Sequence, residues 1–242
     1  MNTENIMRLL SGLVAPLLDP LNDLPEDAHV VQIASGTGGL SRALARRRPG
    51  LKITAIDINP QVIDADTVDF QQMDMTNLTF ADGSVDAVIS RMGLLLAGTA
   101  PFDAAAAEAA RILRPGGLLS IATWSDVNDS PYTRFGLEVL RRHSGPTALD
   151  TAFARPRSFE SYLVDAGLDD VEGTDYRWDT EYPSFGDWWE FVAGFGPLEP
   201  LFGALDRGDA QQTMADVIAR YRTGSGGYRL PATARLITAR RI

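Results

Sequence analysis

The sequence predicts a doubly wound α/β fold, and two observations carry that expectation. From residue 29 onward, short apolar runs alternate with helical stretches, the pattern of βα units laid on a parallel sheet. A turn of small residues, Ala34-Ser35-Gly36-Thr37-Gly38-Gly39, lies between the first apolar run and the helix that follows it. Length supports both: 242 residues, 45% hydrophobic and 22% charged, suit one large globular domain or one domain carrying a cap.

The elements follow in order. Ile6, Leu9, Leu10, Leu13 and Leu17 fall at helical spacing, so residues 1–27 read as an N-terminal helical segment rather than a signal peptide. Glu4 offsets Arg8, and no small-residue cleavage site follows. Strands are expected at 29–34, 51–57, 68–73, 85–90 and 118–124, and helices at 40–48, 60–65 and 101–113. Arg46, Arg47 and Arg48 complement the dipole of the helix they close, and Pro49-Gly50 stops it. Residues 28–125 thus form the core. The remainder, 126–242, is read as part of the same domain: helices at 131–143 and 159–166, strands at 171–178 and 232–240, and helical lid insertions at about 126–168 and 180–227.

Composition excludes much chemistry. With no Cys there is no disulfide, thiolate nucleophile or Cys-ligated metal. His29 and His143 are far apart, and Lys52 is the only lysine, so tandem-His zinc motifs and Schiff-base lysine catalysis drop out. A formal charge of −10 disfavours nucleic acid and anionic membrane as partners. No apolar run approaches the ~20 residues of a membrane span. The expected setting is cytoplasmic, the expected partner is a small molecule, and a homo-oligomer is left open.

The small-residue turn lets backbone approach a ligand, and the helix after it offers free N–H groups to a negative group. Asp57 ends the next strand, where a carboxylate can accept from both hydroxyls of a ribose. Together they read as adenosine recognition, which fits more than one cofactor class. A dinucleotide fingerprint would want Gly or Ala where Ser41 stands, and a nicotinamide-dependent oxidoreductase rests only on Gly36, Gly38 and Asp57.

The runs VVQIASGTGG, AIDINP, QQMDMTNLTFADGSVDAVIS and EAARILRPGGLLSIATW, in this order and spacing, resemble motifs I to V of the class I S-adenosylmethionine-dependent methyltransferases. The likeness is greatest to the small-molecule type similar to the ubiquinone and menaquinone biosynthesis methyltransferases. It implies a Rossmann-like, mostly parallel seven-stranded sheet with an antiparallel last strand. It also implies S-adenosylmethionine as cofactor, S-adenosylhomocysteine as product, and in-line methyl transfer to a small hydrophobic or aromatic, natural-product-like acceptor of secondary metabolism.

By this resemblance Ala34, Ser35, Gly36 and Gly38 would face the methionine moiety, Asp57 would hold the ribose, and Ile58 would pack on the adenine. Asp74 and Met75 would meet the adenine amino group and ring, while Ser90 and Arg91 would lie beside the sulfonium. Two departures stand out: Gln32 replaces the family's usual Asp, and Ala34 its usual Gly. Gln32 adds no negative charge near the cofactor, which keeps in view a cofactor-binding protein that catalyses a non-methylating cyclisation or rearrangement.

Such chemistry needs little from side chains, since the cofactor carries the activated group. If a base is used, His143 is the candidate, although a His at a helix C-terminus is also favoured electrostatically. Asp126, Asn128 and Asp129 hint at a cation site. They read better as a cap, with Asp129 or Ser130 closing the helix begun by Pro131, and no metal is expected. The acceptor pocket is assigned to Trp124, Tyr132, Phe135, Trp188, Trp189 and Phe195, an aromatic set that alternatively packs the lid.

Overall fold

The computed structural model of the chain describes residues 3–59, 67–93, 102–124, 126, 128–145, 158–194 and 198–242. The helix expected at 60–65 and the pocket residue Phe195 lie outside them.

Seven strands form one sheet: β1 (His29–Ile33), β2 (Lys52–Asp57), β3 (Asp69–Gln72), β4 (Val85–Arg91), β5 (Leu113–Thr123), β6 (Leu168–Tyr182) and β7 (Tyr228–Arg241). Their order is β3-β2-β1-β4-β5-β7-β6. The first five run parallel, with His29 opposite Lys52, Val30 opposite Ala87 and Ala55 opposite Phe70. Strand β7 is antiparallel to β5, pairing Ile237 with Ile121. The expected fold class is therefore observed. Central strands bury both faces: Val30, Val31, Gln32 and Ile33 of β1 are all buried, as parallel pairing under two helical layers requires.

The described helices are α1 (Thr3–Leu10), α2 (Val14–Leu18), α3 (Gly39–Arg47), α4 (Phe102–Ile112), α5 (Pro131–Ser144), α6 (Phe159–Asp165), α7 (Phe185–Ala193), α8 (Glu199–Gly203) and α9 (Arg207–Ile218). The chain divides into two compact units. The sheet unit comprises residues 13–123, 156–175 and 235–242. Its core sets Val31, Ile33, Ile56, Val88, Leu119 and Ile121 in one cluster with Ala105, Ala106, Ala109 and Ala110 of α4. Small side chains on that face let the helix lie close to the strands. The helical unit comprises residues 1–12, 124–155 and 176–234, with a core built from Leu9, Phe135, Trp188, Trp189, Phe191 and Met214.

Several local expectations are corrected. The N-terminal helix is broken: a 3-10 turn at Ser11–Leu13 separates α1 from α2. Gly12 lies against Trp178, where a Cβ would come within 2.5 Å of the indole, and Trp178 Nε1 donates to the carbonyl of Leu9 at 2.8 Å. The indole thereby satisfies a carbonyl that the helix end leaves open. Strands β6 and β7 also run well past the apolar cores, at 171–178 and 232–240, that marked them in the sequence.

Arg48 does more than close α3. Its guanidinium donates to the carbonyls of Leu21, Asn22, Leu24 and Pro25, at 2.7–3.3 Å, and Arg47 pairs with Asp19 at 2.8 Å. The arginine run therefore fastens the segment before β1. Ser130 occupies the N-cap of α5, yet its side chain makes no capping bond. The Asp129 carboxylate turns back to accept from the Asp126 amide at 2.8 Å, while the Asp129 carbonyl accepts from the Thr233 amide. The cap expected of Ser130 does not form, and the Asp129 carboxylate is engaged in the preceding turn.

Two predictions follow from these anchors. Arg48→Ala removes a charged donor from four carbonyls and should lower stability by about 2 kcal/mol, read as a shift of the denaturant midpoint. His29 is held below its ordinary value of 6.5 by burial, then by nearby Lys52, against the opposing pull of Asp86 and Asp69. Below pH 6.5 the unfolded chain takes up a proton that the folded chain resists. Stability should therefore fall as pH drops through 6.5 toward the folded value and then level off; chemical denaturation of wild type and His29→Gln across that range should show a slope only in the wild type.

Candidate cofactor site

Strand order reverses between β1 and β4, and in open α/β sheets that switch point opens a crevice at the carboxyl ends of the strands. The turn after β1 sits there. Ala34, Gly36 and Gly38 all adopt positive φ, at 52°, 54° and 72°. For Ala34 this conformation is strained, and such strain gathers at ligand sites. Met92, just past β4, is also left-handed, at 63°. A Cβ on Gly38 would strike the Phe70 ring, and one on Gly93 would strike Ala34. The walls of the turn are thus closed by β3 and by the segment after β4.

Gln32 and Ser35 have distinct environments. Gln32 is buried, and its Oε1 accepts from the Ser41 amide at 2.8 Å and from the Ser41 hydroxyl. It therefore satisfies an open N–H in the first turn of α3. Ser35 is also buried, but its hydroxyl has no hydrogen-bond partner. An orphaned hydroxyl is costly unless a ligand completes it.

Asp57 joins this turn to the end of β2. Its Oδ2 accepts from the Gly36 amide at 2.8 Å and its Oδ1 from the Asn59 amide at 3.0 Å. A carboxylate offers about four acceptor positions, so two remain for hydroxyls of a ligand. Ile58, next in sequence, is 60% exposed, an open apolar face beside that carboxylate. Past β3, exposed Asp74 accepts from the amide and hydroxyl of Thr76 on Oδ1, both at 2.8 Å; these bonds hold its carboxyl below the usual range. Both bonds belong to a local turn, and Oδ2 stays available. Met75 is partly buried against the sheet core.

Ser90 and Arg91 end β4. Ser90 Oγ donates to the Ile33 carbonyl at 3.1 Å, bracing β4 against β1 at the crevice. Arg91 is 9% exposed, and burial pushes its guanidinium down to about 10. It is not the solvated arginine that a strand end usually carries. In the sheet unit Gln32, Ala34, Ser35, Gly36, Gly38, Asp57, Ile58, Ser90 and Arg91 stand at the carboxyl ends of β1, β2 and β4 or in the turns after them, and Asp74 and Met75 follow β3. Phe70, Met92 and Gly93 were missed in the sequence, because only the folded chain shows what Gly38 and Ala34 press against.

The other expected residues belong to the helical unit. Tyr132, Phe135, Trp188 and Trp189 are all core residues there, with Trp188 fully buried. Their edge-to-face contacts, such as Phe135 with Trp188 at 6.2 Å, consume the ring surfaces in packing. Trp124 remains partly buried and stacks on Trp178 at 5.9 Å, which in turn stacks on Tyr176 at 6.0 Å. His143, in the last turn of α5, is exposed, and its Nε2 lies 2.9 Å from Thr213 Oγ1. Among the described residues no cluster of three or more His, Asp or Glu could hold a metal ion.

Residues 31–121 match the family model described as a methyltransferase domain. Over 183 residues the chain is 31% identical to the 2-methyl-6-phytyl-1,4-hydroquinone methyltransferase of Synechocystis, covering 71% of this chain and 55% of that protein. The chain spans about half the length of the curated relatives it matches. Among solved structures, the YcgJ protein of Bacillus subtilis superposes with a TM-score of 0.60 at 16% identity, covering 95% of this chain and 98% of that one. The cyclase SpnF superposes at 0.52 and 20% identity, covering 97% and 80%. The structural likenesses show the fold, a Rossmann-like, mostly parallel seven-stranded sheet. The sequence matches show that residues 31–121 are similar to a methyltransferase domain.

Gln32→Ala would strand the buried Ser41 amide and hydroxyl, so a stability loss of about 2–3 kcal/mol is expected in thermal or chemical unfolding.

Proposed function

We propose that the chain is an S-adenosylmethionine-dependent methyltransferase that acts on a small hydrophobic, ring-bearing acceptor. The observation that carries this reading is the crevice at the β1/β4 switch point, where a left-handed turn, an orphaned Ser35 hydroxyl and the Asp57 carboxylate lie together. Bound there, the cofactor supplies an activated methyl group on a sulfonium.

The chain's own groups then bind and orient. Asp57 takes the ribose hydroxyls with its two remaining acceptor positions, and its bonds to the Gly36 and Asn59 amides hold it in place beforehand. Ile58 offers its exposed face to the adenine, and Asp74 Oδ2 takes the adenine amino group beside Met75. The turn Ala34-Ser35-Gly36 brings its backbone to the methionine part, with Ser35 Oγ as the donor or acceptor that completes the set. Ser90 braces the floor, and the buried Arg91 offers a cation at the end of β4. Gln32 serves α3, its Oε1 accepting from the Ser41 amide and hydroxyl, so its structural role does not depend on a bound cofactor.

The acceptor is assigned to ring-bearing molecules because the Synechocystis relative is named as a methyltransferase of a hydroquinone. A phenolic hydroxyl on such a ring ionises only at about pH 10, and His143 Nε2 is engaged with Thr213, so no base is assigned.

Calorimetry tests the cofactor half: S-adenosylhomocysteine should bind the wild type, and Asp57→Ala should lose about 2–3 kcal/mol of that affinity. Equal affinity in the variant would reject the assigned role of Asp57. For the reaction, incubation with S-adenosylmethionine and a methyl-substituted hydroquinone should give a methylated product by mass spectrometry. Turnover of acceptor without change of mass would favour cyclisation or rearrangement instead.

A further inference from the structure

Gln32 uses only half of its hydrogen-bonding capacity. Its Oε1 takes the Ser41 amide at 2.8 Å, and because a backbone N–H can only donate, that bond fixes which carboxamide atom is the oxygen. The other atom, Nε2, has two hydrogens to give and donates to no described residue. The residue is 2% exposed, and Nε2 holds part of that remainder. Nε2 shares a carbon with Oε1, so it too stands beside the first turn of α3. An amide donor left unmatched at such depth is rare unless a ligand completes it.

Other donors collect at the same helix end. The Ser41 amide is taken by Gln32 and the Arg42 amide by the Gly38 carbonyl, but those of Gly39 and Leu40 find no acceptor among the described residues. The Ser35 hydroxyl is buried without a partner, and a hydroxyl can turn to donate. Arg42 adds a cation: its Nη1 donates to the Thr37 carbonyl at 2.6 Å and lies 3.5 Å from where a Cβ on Gly38 would stand. The carboxylate bonded to this turn is Asp57, and its bond goes to Gly36, before the helix begins. A ligand in the turn therefore meets acceptors at Asp57 and donors at α3, where the helix dipole also favours negative charge.

We propose that Gln32 makes the cofactor site selective for the carboxylate at the amino-acid end of its ligand, with Nε2, Ser35 Oγ and the Gly39 and Leu40 amides as the donors. This selectivity rests on the S-adenosylmethionine reading of the crevice, and adds which group of the methionine part the chain grips. An acid at position 32, as in the family pattern that the sequence resembles, would set a second negative charge beside that carboxylate. Gln32 gives Ser41 the same acceptor and presents a donor in place of the second oxygen.

Calorimetry at pH 8.5 with three ligands tests this: S-adenosylhomocysteine, its analogue lacking the α-carboxylate and its analogue lacking the α-amine. In the wild type, loss of the carboxylate should weaken binding at least about tenfold and loss of the amine at most about threefold. Gln32→Glu keeps the acceptor for Ser41 and sets an oxygen where Nε2 stood. It should weaken S-adenosylhomocysteine at least about tenfold and abolish the preference for the ligand that carries the carboxylate. A purely structural role for Gln32 would leave that preference unchanged. Circular dichroism melts establish that the variant is folded; should it fail to fold, the wild-type comparison decides alone. Folded Gln32→Glu binding S-adenosylhomocysteine as tightly as the wild type, or a wild type for which the amine matters as much as the carboxylate, would overturn the proposal and leave the cofactor reading in place. No binding of any of the three ligands to the wild type would instead remove the cofactor reading, and this selectivity with it.

Discussion

The Asp57 carboxylate is the constraint around which the sheet unit is arranged. It accepts from the turn after β1 and from the turn after β2, tying together two loops that lie beyond the ends of their strands. Loops that bind small molecules must be rigid without being buried, since a buried loop leaves backbone polar groups unmatched. A carboxylate placed at a strand end solves this by supplying acceptors to two loop amides at once, one part-buried and one exposed. What is left of its hydrogen-bonding capacity faces the crevice, so one side chain both shapes the site and serves it.

The surrounding structure makes that geometry durable. Gln32 turns inward to the first turn of α3, Ser90 ties β4 to β1, and Phe70 and Gly93 close on Gly38 and Ala34. Ala34 and Met92 hold left-handed backbone on opposite sides of the switch point, and that strain persists only because the packed strands leave no room to relax. The N-terminal segment is secured by other means. Arg48 gathers four carbonyls, and Ser120 Oγ donates to the carbonyl of Leu17 inside the sheet unit. Both are polar side chains completing backbone groups that a short helix leaves open.

The core of the fold was legible because parallel strands buried on both faces write continuous apolar runs. HVVQI, KITAID and VDAVIS announce themselves, and the expected strands β1, β2 and β4 match the observed ones to within a residue. The turn and Asp57 were legible for the same reason, since their positions are fixed by those strands. Strands β6 and β7 were read short because their outer halves alternate apolar and polar residues, a weaker signal than a buried run. The break at Gly12 could not be read at all, since it depends on an indole 166 positions further along the chain. Arg48 misled because its partners are carbonyls brought near by folding, and Asp129 because its carboxylate serves the amide of Asp126 in its own turn; backbone partners leave no trace in side-chain pattern. Aromatic residues were the least informative. Trp188 and Phe135 carry the composition of a ligand pocket, but composition alone does not separate a pocket wall from a core.

Hydrogen–deuterium exchange with and without S-adenosylhomocysteine tests the central assignment most directly, because it reads the backbone of each turn separately. Binding at the β1/β4 crevice is expected to slow exchange together at 34–39, 57–59 and 74–76, the three turns that Asp57, its neighbours and Asp74 bring to one ligand. Unchanged exchange in those turns under saturating ligand, or protection confined to the helical unit, would contradict it.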